Sequence, residues 1–270
     1  MQLSAEGRWG GKLTARPLPD HDPSIDALAQ ADRARLADIW IVRAAMERRV
    51  AESFAVIHDA LVRRGASAEL VALAARAIDD EHRHTELSRL VASRFAGREL
   101  PTPPQLPLDV PMHKAASPEL RDTLHVVGQC VLNETTASAF LETCLSCSEG
   151  TLANLAIREL LSDEVEHGRM GWTYLASVND QTRADVGRWI LPMAYLNLRQ
   201  WKQESPEDPS YRDILAAHGA PPPSMLHDAL VDALRSLIVP GLRELRIPTD
   251  AVERWLDAGA YTDRAPVDLA

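Results

Sequence analysis

The chain has few cysteines, no long apolar run and no excess of positive charge, and each shortage closes off a class of protein. Three cysteines among 270 residues, Cys130, Cys144 and Cys147, are too few for a disulfide scaffold and suit a reducing compartment. No stretch approaches the roughly 18 apolar residues that a membrane span needs. Residues 1–23 lack the apolar core of a signal peptide, so the expected location is the cytoplasm. A formal charge of −10 argues against a nucleic-acid partner, which needs a basic face. What remains, 46% hydrophobic and 25% charged residues, is an ordinary globular composition in a chain long enough to bury a sizeable core.

The pattern that fills the chain is helical. Residues 1–23, with Gly10-Gly11 and Pro17, Pro19 and Pro23, read as an irregular arm. Ser24 is expected to cap a first helix reaching about Arg64, with Trp40, Ala44, Glu47, Ala51, Phe54, His58 and Leu61 as its inward stripe. Gly65 breaks it, and Ser67 caps a second helix to about Ala96, with the stripe Leu70, Ala74, Ala77, Glu81, His84, Ser88, Val91 and Phe95. Residues 97–117, with Gly97 and five prolines, form a long connector. Ser117-Pro118 opens a third helix to about Ser148, with Val127, Cys130, Glu134, Ala137 and Leu141 inward. Glu149-Gly150 turns the chain, and Thr151 opens a fourth helix with Ile157, Leu160, Glu164, His167, Gly171 and Tyr174 inward. Three further helical segments are expected near 182–203, 224–239 and 249–258, punctuated by Pro221-Pro222-Pro223 and Pro240-Gly241. The expected layout is an arm (1–23), a bundle of two hairpins joined by a crossover (24–178), and a helical extension packed on it (179–270).

Two stretches share one grammar. Asp80-Glu81-His82-Arg83-His84 and Asp163-Glu164-Val165-Glu166-His167 both read Asp-Glu-x-x-His. On a helix, residues i and i+3 are neighbours, so each Glu and His pair can grip one ion. One such motif is weak; two, with Glu47 and Glu134 on the partner helices, describe a dinuclear carboxylate site. In a tight hairpin, residues at equal height lie equally far from the turn. The midpoint of Glu47 and Glu81 is residue 64, and that of Glu134 and Glu164 is residue 149, both in expected turns. All four glutamates thus sit roughly 22–25 Å from their turns at the helical rise. Glu52 is an alternative to Glu47, but it lies off the apolar stripe. Four carboxylates and two imidazoles suit iron or manganese better than zinc.

These residues resemble the ferritin-like di-iron carboxylate superfamily over about residues 30–178. The resemblance implies an all-α, ferritin-like four-helix bundle with additional C-terminal helices and a pair of iron ions, with manganese an alternative at one or both positions. It implies that Glu81 and Glu164 bridge or chelate, that His84 and His167 each hold one ion, and that Glu47 and Glu134 complete the set. It further implies a crossed pairing behind the ligands, Asp80 with His167 and Asp163 with His84. Ser138, one turn after Glu134, stands where some hydroxylating relatives place a hydroxyl, although a packing serine is the plainer reading. Core packing is the plainer reading of Tyr174, and Cys144 and Cys147 read as reduced thiols in a helix.

The activity so implied is that of an oxidoreductase that uses O2 to hydroxylate, N-oxygenate or desaturate a small organic substrate. Its expected partners are that substrate and an electron donor such as a ferredoxin or reductase, with a homodimer among the assemblies left open and neither nucleic acid nor membrane. Ferrous-ion oxidation and rubrerythrin-like peroxide reduction are the alternatives, and a non-enzymatic, metal-stabilised bundle is a third. Three cysteines cannot form a rubredoxin module, and Ala137 stands where rubrerythrin-like proteins tend to carry a further glutamate. Leu160 replaces the extra histidine frequent in N-oxygenase relatives. Residues 179–270 exceed what a bare cage-forming bundle needs.

Overall fold

A computed structural model describes residues 14, 17–204 and 206–259, and among them the regular structure is all helical. Of the arm, residues 14 and 17–23 are described and the rest lies outside. Helix α1 (Gln30–Arg63) and helix α2 (Ala68–Ala96) pack along their length as the first hairpin. Ser67 caps α2 by accepting from the Leu70 amide at 3.3 Å. Gly97, at φ 66°, ends the helix in the left-handed conformation that glycine adopts without strain. The crossover then runs over α1, where Arg48 donates to the Pro103 carbonyl at 2.6 Å.

Helix α3 is made of three runs laid end to end, Pro118–Val126, the π-helical turn Val127–Asn133, and Glu134–Cys147. It pairs with helix α4 (Thr151–Ser177), and α4 also lies against α2. Helix α5 (Asp180–Glu204), a 3-10 turn (Asp213–His218), helix α6 (runs Pro223–Ala233, Leu234–Ile238 and Val239–Glu244) and helix α7 (Asp250–Asp257) complete the described chain. Val186, Ile190, Leu234, Ile238 and Trp255 of this part share one apolar cluster with Leu124, Val127 and Leu175 of the second hairpin. No described helix is long and apolar enough to cross a membrane.

Two local expectations are corrected. Ser24 does not cap the first helix; Asp22 caps a separate short helix, Pro23–Asp26, accepting from the Ser24 amide at 3.0 Å. A carboxylate is a strong cap acceptor, and Pro23 favours the first helical position. The other oxygen of Asp22 takes the Leu152 amide at 2.9 Å, so one residue serves the starts of two helices. Pro240-Gly241 does not end its helix either, because the π-helical turn just before it rearranges the hydrogen bonds that a proline would break. The 3-10 turn was not foreseen, being too short to carry a period.

The inward stripes hold. Every residue of the α2 stripe is buried, as are Ile157, Leu160, Glu164, His167, Gly171 and Tyr174 of α4. The polar members form one layer between two apolar clusters. Trp40, Leu87 and Leu160 belong to the cluster on one side, and Phe54, Ala77, Cys130 and Met170 to the cluster on the other.

Candidate metal centre

Each helix of the two hairpins delivers its acid to that layer. Ligand atoms of Glu47, Glu81, His84 and Glu164 lie within 4.8 Å of one another, and so do those of Glu81, Glu134, Glu164 and His167. Either group could hold a metal ion. The two groups share Glu81 and Glu164, and each adds one histidine and one further glutamate. All six expected residues are therefore brought together, whereas Glu52 is exposed and belongs to neither group.

Burial is nearly complete: Glu81 and His84 are 0% exposed, Glu134 1%, and Glu164 and His167 3%. Glu47 is half-buried because it opens onto a cavity. Both oxygens of Glu81 and Nδ1 of His84 lack a hydrogen-bond partner, although buried groups of this kind are normally satisfied. Nδ1 of His167 stands 3.1 Å from Oε1 of Glu81 without the orientation of a hydrogen bond. Unmatched acceptors converging on one point fit a cation.

Each imidazole points Nδ1 into the layer and Nε2 out of it. Nδ1 of His84 is 3.5 Å from both Glu81 and Glu164, and Nδ1 of His167 is 3.1 Å from Glu164. Outside, Nε2 of His84 donates to Asp163 at 3.0 Å. Nε2 of His167 faces Asp80 at 3.6 Å, ion-pair range but beyond a hydrogen bond. The crossed pairing implied by the resemblance is thus present in space, tight on one side and looser on the other. Arg83 clamps both aspartates, reaching Asp80 at 3.3 Å and contacting Asp163 directly. Ser138 is half-buried, and among the described residues no hydrogen bond links it to the layer.

Without metal the charges crowd. Burial, then the neighbouring carboxylates of Glu81 and Glu164, push Glu47 well above the usual carboxylate range. Burial and the charge of Glu164 do the same to Glu134. Burial also acts to raise Glu164, but its contacts with His167 and His84 outweigh that and hold it well below. Both histidines are raised: burial opposes their charge, yet Asp163, Glu164 and Glu81 around His84, and Asp80, Glu164 and Glu81 around His167, prevail. A proton on Nδ1 is therefore what an arriving ion displaces.

Two residues around the layer were missed in the sequence. Gln129 donates to Glu134 at 2.5 Å and accepts from Ser53 at 2.7 Å, and Ser53 lies 3.3 Å from His125. Gln129 and Glu134 are five apart, a spacing that a regular helix does not bring face to face but a π-helical turn does. Arg43, one turn before Glu47, was missed because an arginine on a helix usually faces water.

The layer opens through Glu47, Glu134 and Glu164 into a cavity of about 330 Å3. Its walls are largely apolar, including Ile39, Val50, Phe140 and Trp201, and the segment around Gly219–Pro221 closes its far end. Cys144 is buried beside it and Cys147 half-buried, and both are free thiols. Tyr174 lies outside the layer, its hydroxyl 3.0 Å from Thr123. No protein-family model and no curated protein matches the chain.

Proposed function

We propose that the protein is a ferritin-like di-iron oxidoreductase that uses O2 to oxidise a small organic substrate. The observation that carries this reading is the pair of four-residue groups sharing Glu81 and Glu164. Two divalent ions are balanced by the four glutamates, whereas without them those carboxylates repel or must hold protons. Glu81 and Glu164, common to both groups, would serve both ions, with Glu47 and His84 holding one and Glu134 and His167 the other. Oxygen and nitrogen donors without thiolate favour iron, with manganese as the alternative. Two ferrous ions, when bound, would supply the electrons that reduce O2 and the oxidising power turned on the substrate.

The chain's own residues do the rest. Asp163 and Asp80 fix which imidazole nitrogen faces the ions, and Arg83 holds the two aspartates in place. The apolar clusters above and below exclude water from the layer. The cavity beside Glu47, Glu134 and Glu164 offers an organic molecule a place against the site; oxidation of ferrous ion alone has no use for it, which favours the first activity over the second. A small electron donor is the expected partner.

Metal content and oxygen consumption test this reading. Protein from iron-supplemented cells should carry about two irons per chain and a Glu81→Ala, Glu164→Ala variant almost none. Oxygen uptake should then require both an organic substrate and a reductant. An empty wild type, or a variant that keeps its metal, would sink the reading; uptake with ferrous ion alone would favour the ferroxidase alternative.

A further inference from the structure

Arg43 is a buried cation in the cavity wall, 9% exposed, without a carboxylate in ion-pair range among the described residues. The other two arginines lining the cavity are matched, Arg35 with Asp208 at 2.7 Å and Arg49 with Glu204 at 2.8 Å. Asp38, also in the wall, is exposed at the rim. Arg43 and Glu47 have the i, i+4 spacing that usually makes an ion pair, but they turn apart. Glu47 turns into the metal layer, while the Arg43 guanidinium folds back over the Trp40 ring at 4.2 Å and stands 5.3 Å from that of Phe140. Its Nη2 donates to the Gly219 carbonyl at 3.3 Å and reaches the Cys144 sulfur at 3.8 Å, and Nη1 has no partner. A buried charge left in this state is costly and is ordinarily paired. Arg43 is thus a buried cation on the cavity side of the layer that no described carboxylate pairs.

We propose that Arg43 is an anion-binding group and that the molecule taken into this cavity is a carboxylic acid. The inference rests on the di-iron reading for the oxidation of that acid, though not for its binding. A planar guanidinium matches a carboxylate in shape and charge. Because the guanidinium folds back toward Trp40, the acid group sits at the end of the cavity away from Glu47. Its carbon body then runs past Phe140 toward Glu47, Glu134 and Glu164. Seven residues separate Trp40 from Glu47, roughly 10 Å of helix, so the carbon offered for oxidation is remote from the carboxylate. The volume lies at the lower end for ligand pockets, which suits a medium-length monocarboxylate.

The test uses the full chain as purified, with metal content measured on the same sample, and titrates it calorimetrically with octanoate and with octan-1-ol. Octanoate should bind at least about tenfold more tightly than the alcohol, the worth of one charge-assisted contact. Arg43→Gln should erase that advantage and Arg43→Lys keep part of it. Equal binding of acid and alcohol by the wild type overturns the proposal, and this comparison decides alone where the Gln variant does not fold. A preference that survives in Arg43→Gln also overturns it, since the acid would then be held by the metals. The two readings fail separately. An Arg43-dependent preference in protein that cannot hold iron removes the di-iron reading and leaves the acid site. Two irons without a preference does the reverse.

Discussion

Two glycines three residues apart on α4 should respond to alanine in opposite directions. A Cβ on Gly171 would stand 2.4 Å from the Cys130 Cβ, 2.9 Å from the Cys130 carbonyl carbon and 3.1 Å from the Val131 nitrogen. Carbon atoms in contact keep about 3.5–4.0 Å, so α3 and α4 must part by about 1 Å. Two of the three obstructing atoms are backbone of the π-helical turn and cannot rotate aside. Overpacking of this kind costs about 1–3 kcal/mol, against about 1 kcal/mol returned by the better helix propensity of alanine. Gly171→Ala should therefore lose up to about 2 kcal/mol, a fall in melting temperature of up to about 4–8 °C. At Gly168 the nearest atoms to a Cβ are at 3.8 Å, an ordinary contact, so Gly168→Ala should be neutral or up to about 1 kcal/mol more stable. Urea or thermal unfolding of the metal-free chain measures both. Separating α3 from α4 also moves Glu134 away from Glu164 and His167, so Gly171→Ala should bind metal more weakly even where it remains folded. Equal stability of the two variants would refute the close approach of these helices.

Two further predictions concern the layer. Asp163→Asn removes the charge behind His84 while keeping an acceptor, and should weaken metal binding by about 10–100-fold in a competitive chelator titration; exposed Glu166→Gln serves as the unaffected control, and equal affinities in all three proteins would dismiss the pairing. The metal-free chain should lose stability as pH rises above the ordinary histidine value of 6.5. A histidine whose folded value is raised stabilises fully below its unfolded value, and that contribution is lost as pH climbs through the folded one. Glu47 and Glu134, raised by burial and like charge, act in the same direction. Melting at about pH 8.5 should thus lie below melting at about pH 6.5, with the difference reduced once metal replaces the protons. A metal-free chain that becomes more stable over that interval contradicts the account.

The parts of this molecule that were legible in its sequence are those fixed by period and symmetry. Glu81 and His84 occupy successive positions of an unbroken apolar stripe, and equal distance from two turns placed Glu47 and Glu134 at the same height. Glu47 was preferred to Glu52 on the stripe alone, and exposure of Glu52 agrees. The failures came where local geometry departs from the regular helix. The turn at Val127–Asn133 leaves no mark in a 3.6-residue pattern, so nothing in the sequence brings Gln129 to Glu134. Pro240 read as a stop because a proline is incompatible with regular helical hydrogen bonding, and the irregular turn before it is invisible in composition. Ser24 was taken as the cap and Asp22 was not considered, although the Asp-Pro pair is the same kind of signal as the Ser-Pro pair that opens α3. Arg43 escaped notice because nothing in a one-dimensional pattern distinguishes a cation facing water from one stacked on Trp40.

The far end of the cavity has a consequence for how such a protein can change. Every group gathered in the layer comes from residues 47–167, whereas part of the wall that limits what can lie beside it comes from Trp201 and the segment around Gly219–Pro221. The layer and part of the chamber beside it are thereby written in different stretches of one chain. Substitutions between residues 201 and 226 can lengthen, shorten or recharge the chamber while leaving the ligand geometry alone. A lineage could explore new substrates through that segment, and a directed library confined to it is the economical route to altered selectivity.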